Sequence, residues 1–365
     1  MNDIKFLVCD LSLLDRPSWL NPCDAFLSYE DAEKNNYNWD SPIHAPNSWH
    51  SYAAAMHGRF ICASSDNDWK EHIKWADMIL FTWNYNPVIA SEVIRASKKM
   101  GKVCIGAFHE NGSFFQHNGK NLRWYVDYKE CASECDAILS YPRMNTFTHV
   151  FKGMGLKTYV LDCPQPYHTA IRKDFIVPVE ERRGIMVGPC KKENEIEKRN
   201  WIFNVFRAIE ATQEEGFAPR ITTINLDKTI NNEMLVGILK RFDSEIEWNV
   251  VNQLPYHDYL RLIATHQRTI NIDSSDTQGQ VDADSLFVGV PLLPHNTGHT
   301  TDFADRYFVV RNTFIDFPME LGEPNLMSEE DVVEEYVKMF MTFDDCAQRL
   351  KSFYDFATAM KKTNA

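Results

Sequence analysis

Apolar runs of strand length and amphipathic runs of helix length alternate along this chain, stop, and then alternate again. No other feature constrains the fold as much. Strands joined through helices lie parallel, and the helices cover the faces of the sheet. In the first half, strands are expected at 4–11 (IKFLVCDL), 59–64, 77–83, 102–110, 135–142 and 157–164. Helices are expected at 68–75, 87–100, 121–135 and 144–155. The helix at 87–100 opens on Pro87 and closes on Lys98 and Lys99, which suits both of its ends. Residues 12–59 are rich in Pro, Asn, Tyr, Trp and His and read as long loops with short helices.

The alternation breaks over a proline-bearing stretch without a clear period, and an inter-domain linker is placed at 166–183. It restarts with strands at 184–189, 218–226, 245–253, 268–275, 291–296 and 306–311, and helices at 196–213, 231–242, 256–266 and 279–288. Two further helices, 327–341 and 343–361, follow, the first opening on the cap pattern Ser328-x-x-Asp331. The expected organisation is an N-terminal Rossmann-like domain (1–165), a C-terminal one (184–340), and a C-terminal helix (341–365) able to pack back on the first. A chain of 365 residues is long for one core, which also favours two domains.

Composition removes several classes. The net charge of −13 gives no electrostatic basis for an extensive nucleic-acid surface. No apolar run approaches the ~18 residues of a membrane span. The opening MNDIKFLVCDLSLL lacks a basic n-region and a cleavage site, so a cytoplasmic protein is expected. The nine cysteines are scattered without a CxxC pair, which argues for free buried thiols rather than disulfides or structural zinc. Cys131 and Cys135 fall on one face of a helix and read as core. No GxGxxG follows the first strand, so a dinucleotide-dependent dehydrogenase fits poorly. No metal site and no cofactor is expected.

The chemistry concentrates in DTQGQVDADSLFVGVP, residues 276–291. A strand is expected to end just before it and a helix to begin near Gly279. Ligands of open parallel sheets bind beyond the carboxyl ends of the strands. A helix N-terminus there offers free N–H groups and partial positive charge to a diphosphate. Gly279 lets the backbone, with Gln280, approach such a group closely. Asp284, five residues on, can accept two hydroxyl hydrogens, as a ribose diol requires. Asp276, before the helix, faces a sugar's hydroxyls. Acids that merely cap and solvate a helix would explain either aspartate alone.

With these residues the chain resembles the retaining GT-B glycosyltransferases of the family-4 type. Their Glu-x7-Glu motif stands in the setting E-x-F-G-x4-E-A-x-x-x-G-x-P. Here Asp276-Thr277-Gln278-Gly279 and Asp284-Ser285, closing on Gly289-Val290-Pro291, match its spacing with Asp in place of Glu. The run LPYHDYLRLIATHQRTINIDSS (254–275) is similar to the family's preceding segment and brings Leu254 towards the donor. The resemblance covers about 184–303. It implies an α/β GT-B fold, two Rossmann-like domains facing across a cleft with C-terminal helices. It also implies transfer of a sugar from a nucleotide-sugar donor, UDP-linked in the commonest case, with retention and without a metal. Asp276 would act on the sugar, and Thr277, Gln278, Gly279, Gln280 and Asp284 would hold the donor. The family's Gly-Arg and Lys for the diphosphate are matched loosely by Gly188, Lys191, Lys198 and Arg199, with Pro189 where the Arg would stand. His109, after the strand KVCIGA, would hydrogen-bond the donor sugar. The acceptor is unspecified: a glycan, a lipid, a protein or a modified nucleobase. A sugar-nucleotide epimerase, or a GT-B-like subunit that binds without catalysis, are the alternatives.

Overall fold

A computed structural model of the chain describes residues 4–11, 27–28, 49–63, 68–83, 87–108, 122–140, 152–190, 200–226, 229–254, 256–273, 279–295, 301–313 and 327–363. The chain divides into two compact units, Met1–His168 with Met341–Ala365, and Thr169–Phe340.

The first unit is a seven-stranded sheet in the order β2-β3-β1-β4-β5-β6-β7. Its strands are β1 (Phe6–Asp10), β2 (Leu27–Ser28), β3 (Arg59–Cys62), β4 (Met78–Trp83), β5 (Val103–Phe108), β6 (Ala137–Ser140) and β7 (Tyr159–Asp162). All pairings are parallel except β2 with β3. Every residue of β1 and β4 is buried, as a parallel sheet covered on both faces demands. The described helices here are α1 (His50–Ala55), α2 (Trp69–Trp75), α3 (Pro87–Lys99) and α4 (Leu122–Glu134). α3 buries Ala90, Ser91, Ile94 and Ser97, a spacing of three and four that lays one stripe on the sheet. Cys131 and Cys135 are buried in the same core. Among the described residues Cys9, Cys104, Cys131, Cys135, Cys163, Cys190 and Cys346 are buried and form no disulfide.

The second unit has a four-stranded parallel sheet in the order β10-β9-β8-β11. Its strands are β8 (Ile185–Cys190), β9 (Arg220–Asn225), β10 (Glu247–Asn252) and β11 (Arg268–Ile270). Two short 3-10 turns, Thr169–Asp174 and Val179–Glu181, lead into it. Helices α5 (Trp201–Glu214), α6 (Asn232–Leu239) and α7 (Tyr256–Ala264) link its strands, and α8 (Gln280–Phe287), α9 (Asp302–Arg311) and α10 (Glu329–Val337) follow β11. Trp201, Val205 and Ala208 of α5 and Leu235 and Leu239 of α6 pack on Val187 and Ile221 of the sheet. Ser328 accepts from Asp331 N, and the Asp331 side chain returns to the Ser328 backbone, closing the capping box of α10.

Helix α11 (Phe343–Thr363) follows the second unit in sequence but belongs to the first. Its buried Cys346, Leu350, Phe353 and Ala357 join the core of the seven-stranded sheet. A bridge from Tyr167 to Thr342, and a bond from Lys361 Nζ to Lys102 O at 2.7 Å, fix its two ends. Among the described residues no helix is long and apolar enough to cross a membrane.

Two expected strands are not strands. Residues 306–311, Arg-Tyr-Phe-Val-Val-Arg, form the second half of α9. The β-branched and aromatic run favours a strand locally. The Thr301 cap, which accepts from Ala304 N at 3.2 Å, and the burial of Phe303, Ala304 and Tyr307 on one stripe override it. Of the strand expected at 291–296, the described residues 291–295 contribute only a bridge, Leu292 beside Thr269. Thr269 N donates to Pro291 O at 3.1 Å and Leu293 N to Thr269 O at 2.8 Å. Most of 12–48 and of the helix expected at 144–155 lies outside the described residues.

Candidate functional site

In the second unit the chain runs from β8 outward to β9 and β10, then returns to the other side of β8 as β11. The direction of winding therefore reverses between β8 and β11, the place where open α/β sheets form a ligand crevice. The residues that meet there are Gly188 near the end of β8, Asn271 just after β11, and the start of α8.

Gly279 is the N-cap residue of α8, with φ +86°, and as a glycine it brings no side-chain cap of its own. Only glycine fits. A Cβ would stand 2.0 Å from Thr301 Oγ1 and 2.3 Å from Thr301 Cβ, besides the strain of a left-handed backbone. Thr301 is itself fixed. It is wholly buried, caps α9, and donates from its hydroxyl to Asp282 Oδ2. Asn271 Nδ2 donates to the same Asp282 oxygen at 3.4 Å. A buried carboxylate in the first turn of α8 is thus satisfied from two other elements, as burial demands.

Gly188 has a different reason to be glycine. A Cβ there would meet Asn271 Oδ1 at 2.6 Å. Thr223 Oγ1 of β9 donates to Gly188 O at 3.1 Å, and Trp201 Nε1 donates to Thr223 Oγ1 at 3.2 Å. Asn204 of α5 clamps the backbone beyond β11, accepting from Ile272 N at 2.5 Å and donating to Ile272 O at 3.5 Å. The described strand ends at this reversal are cross-braced.

Asp284 lies one turn into α8 and is 1% exposed. Tyr256, the first residue of α7, donates its hydroxyl to Asp284 Oδ1 at 3.0 Å. At the other end of α8, Arg172 Nε donates to Phe287 O at 2.6 Å, and Arg182 Nη1 to Gly289 O at 2.6 Å. Arg172 is paired with Glu334. A guanidinium on the last helix carbonyl, and another on Gly289 O two residues beyond it, sit at the negative end of the helix dipole, whose positive pole is at the N-terminal amides beside Gly279. Burial lowers the Arg182 pKa from its ordinary value.

Of the residues singled out in the sequence, Gly188, Leu254, Gly279, Gln280 and Asp284 are described, all in the second unit. Gly188, Gly279, Gln280 and Asp284 fall at the strand ends or on the helix that follows β11, and Leu254 falls two residues before α7. His109, Lys191, Lys198, Arg199, Asp276, Thr277 and Gln278 lie outside the described residues. Sequence reasoning missed Tyr256, Asn271, Asp282, Thr301 and the two arginines. Each acts through a partner far away in the chain, so no local spacing announces it. Among the described residues no group of three or more His, Cys, Asp or Glu side chains could hold a metal ion.

No family model and no curated protein matches the chain in sequence. Solved structures match it in fold. Sucrose-phosphate synthase from Thermosynechococcus elongatus superposes with a TM-score of 0.51 at 10% identity, covering 98% of this chain and 100% of the other. An alpha-glucosyltransferase in complex with UDP-glucose and DNA containing an abasic site gives 0.50 at 9%, covering 97% and 99%. An alpha-glucosyltransferase with UDP and a 13-mer DNA containing a HMU base gives 0.50 at 10%, covering 97% and 99%. At such identities the likeness concerns the fold: two parallel-sheet α/β units with C-terminal helices, the GT-B arrangement.

Proposed function

We propose that the chain is a glycosyltransferase that moves a sugar from a nucleotide-sugar donor, UDP-linked, to a hydroxyl of an acceptor with retention and without a metal. The observation that carries this is the β8/β11 reversal, where a helix N-terminus that opens on Gly279 stands one turn before a buried carboxylate. That pairing suits a diphosphate followed by a ribose. The solved structures of like fold that were captured with UDP or UDP-glucose support the choice of donor.

In this reading the amides of Gly279 and Gln280, with a cation from Lys191, Lys198 or Arg199, hold the diphosphate. Thr277 and Gln278 line the same turn, and Leu254 borders the nucleotide. Asp276 faces the sugar, and His109 keeps the hydrogen bond to the sugar expected of it. The bond from the anomeric carbon to the phosphate oxygen breaks, and its electron pair leaves with the diphosphate. The acceptor oxygen bonds to the same carbon, and its proton passes to the departing phosphate. The positive pole of α8 stabilises the charge that develops there. The second unit is the donor side and the first unit the acceptor side.

A thermal-shift screen with UDP-, GDP- and ADP-sugars tests the donor, because a ligand bound only by the folded state raises Tm by mass action. Asp276→Ala is expected to abolish transfer while UDP still binds. Asp284→Ala is expected to weaken UDP binding tenfold or more. A protein that neither binds nor hydrolyses any of these donors sinks the proposal. One that binds them without turnover becomes a binding subunit instead.

A further inference from the structure

Gly237 sits inside α6, where glycine is disfavoured, and nothing around it in the fold requires a glycine. Its backbone is helical, and a Cβ on it would meet no atom within 4 Å. Helix α6 buries Leu235 and Leu239. At about 3.6 residues per turn, Gly237 stands opposite that stripe, at the most outward point of the helix. Beside it runs an apolar ridge spaced by four, Met234, Ile238 and Phe242. On α5, Phe203 and Phe206 lie on the face opposite the buried Trp201, Val205 and Ala208. The rings of Phe206 and Phe242 meet at 5.3 Å, and Gln213 Nε2 donates to Asp243 Oδ2 at 2.8 Å, so the two helices present one surface. The five apolar side chains are each 42–56% exposed. We propose that this face is a self-association surface, on which a second copy of the chain docks about a two-fold axis at Gly237 with the two α6 helices antiparallel.

Charge selects the second copy as the occupant. Glu233 lies four residues before Gly237 and Arg241 four after it, and both are exposed. The turn continues past the helix end, with Arg241 N donating to Ile238 O at 3.0 Å and Phe242 N to Leu239 O at 2.9 Å. Two such helices crossed antiparallel at Gly237 bring Glu233 of each copy opposite Arg241 of the other, so one two-fold axis makes the ion pair twice. A parallel crossing would set like charge against like. The missing side chain at the crossing lets the two backbones approach. The helix dipole alone accounts for an acid in the first turn and bases at the end. It accounts neither for the glycine nor for five exposed apolar side chains in one patch. At about 200 Å² for a wholly exposed large side chain, the five offer roughly 500 Å². That is close to the apolar share of the ~800 Å² that each partner gives to a standard interface. An anionic lipid surface fits less well, because Glu210, Glu214 and Glu233 are exposed on the same two helices of a chain with net charge −13.

Sedimentation velocity on the full chain, from about 1 to 100 μM, measures the association. The native chain is expected to dimerise with a Kd in the micromolar range or tighter. Gly237→Gln is expected to weaken the dimer about tenfold or more, while its dilute monomer is no less stable to urea than the native one, because glutamine is the better helix former. Glu233→Arg and Arg241→Glu are each expected to weaken self-association about tenfold, since each sets like charges opposite one another. Mixed in equal amounts, these two variants are expected to form a heterodimer about as tight as the native dimer, because one brings two cations to the crossing and the other two carboxylates. Damage to the fold cannot produce recovery on mixing. A native chain still monomeric at about 100 μM overturns the proposal. So does a dimer that Gly237→Gln leaves unchanged, or a pair of charge variants that stay apart when mixed. Monomers that bind vesicles of phosphatidylcholine and phosphatidylglycerol, and lose that binding in Phe206→Asp, would give the face to a lipid surface and overturn it too.

Discussion

His266 shows how much a single side chain can commit. It is wholly buried, its Nδ1 bonds to Leu262 O at 2.8 Å, and its Nε2 to Thr222 Oγ1 at 2.7 Å. The carbonyl can only accept, so Nδ1 carries the proton and Nε2 accepts from the threonine. Burial lowers its pKa from 6.5 to about 4. The unfolded chain then binds a proton below pH 6.5 that the folded ring refuses until about pH 4. Stability is full above 6.5 and declines as pH falls towards 4. Between pH 7 and 5 the loss is about 2 kcal/mol. Urea unfolding at the two pH values should show that loss in the native protein and less of it in His266→Gln. Gly279→Ala should cost about 2–4 kcal/mol, from backbone strain and the collision with Thr301. Gly279→Asn should do no better, because asparagine tolerates the left-handed backbone but still carries a Cβ. A mild asparagine variant in the same denaturation assay would show that the collision is relieved. At this scale Gly279 and Asp284 were legible because spacing along one helix is a local signal. Tyr256, Asn271 and Thr301 were not, because each meets its carboxylate across 28, 11 and 19 residues of chain.

Among the elements, the strand–helix alternation was legible almost throughout the described chain, and its failure at 306–311 is instructive. Tyr307, Phe308, Val309 and Val310 have the residue types of a strand, and alternation would put Tyr307 and Val309 on one face. In α9 Tyr307 is fully buried while Val309 is 67% exposed. Val309→Lys should therefore change stability by no more than about 0.5 kcal/mol, whereas Tyr307→Ala should cost about 3–5 kcal/mol. Similar large losses from both variants would restore the strand. The ends of α8 make a second case. Periodicity finds the helix, but Arg172 holds its last carbonyl, Phe287 O, and Arg182 holds Gly289 O in the turn that follows. Arg182→Ala leaves Gly289 O and Val177 O without their donor and should cost about 1–3 kcal/mol by thermal or urea unfolding. A substitution that leaves Tm unchanged would mean that water replaces the guanidinium without loss.

For the whole molecule, the sequence shows two rounds of strand and helix, and two parallel sheets answer them. The order of strands was not legible. Whether a chain turns back across its first strand depends on which helices pack on which face, and in the second sheet that reversal lies where Gly188, Asn271 and the start of α8 meet. Helix α11 completes the first unit by placing Cys346, Leu350, Phe353 and Ala357 in a core begun at Phe6. Leu350→Ala should cost about 2–5 kcal/mol, read from the unfolding of that unit. The same feature fixes an order of events during synthesis. The second unit is one continuous stretch, Thr169–Phe340, whereas the first needs Met341–Ala365. On a ribosome adding about 5–20 residues per second, the unit whose residues emerge first is the one that must wait. The seven-stranded sheet stays open along the side that α11 covers until the later unit has been made, and a nascent chain stalled before residue 341 carries a finished second unit tethered to an unfinished first.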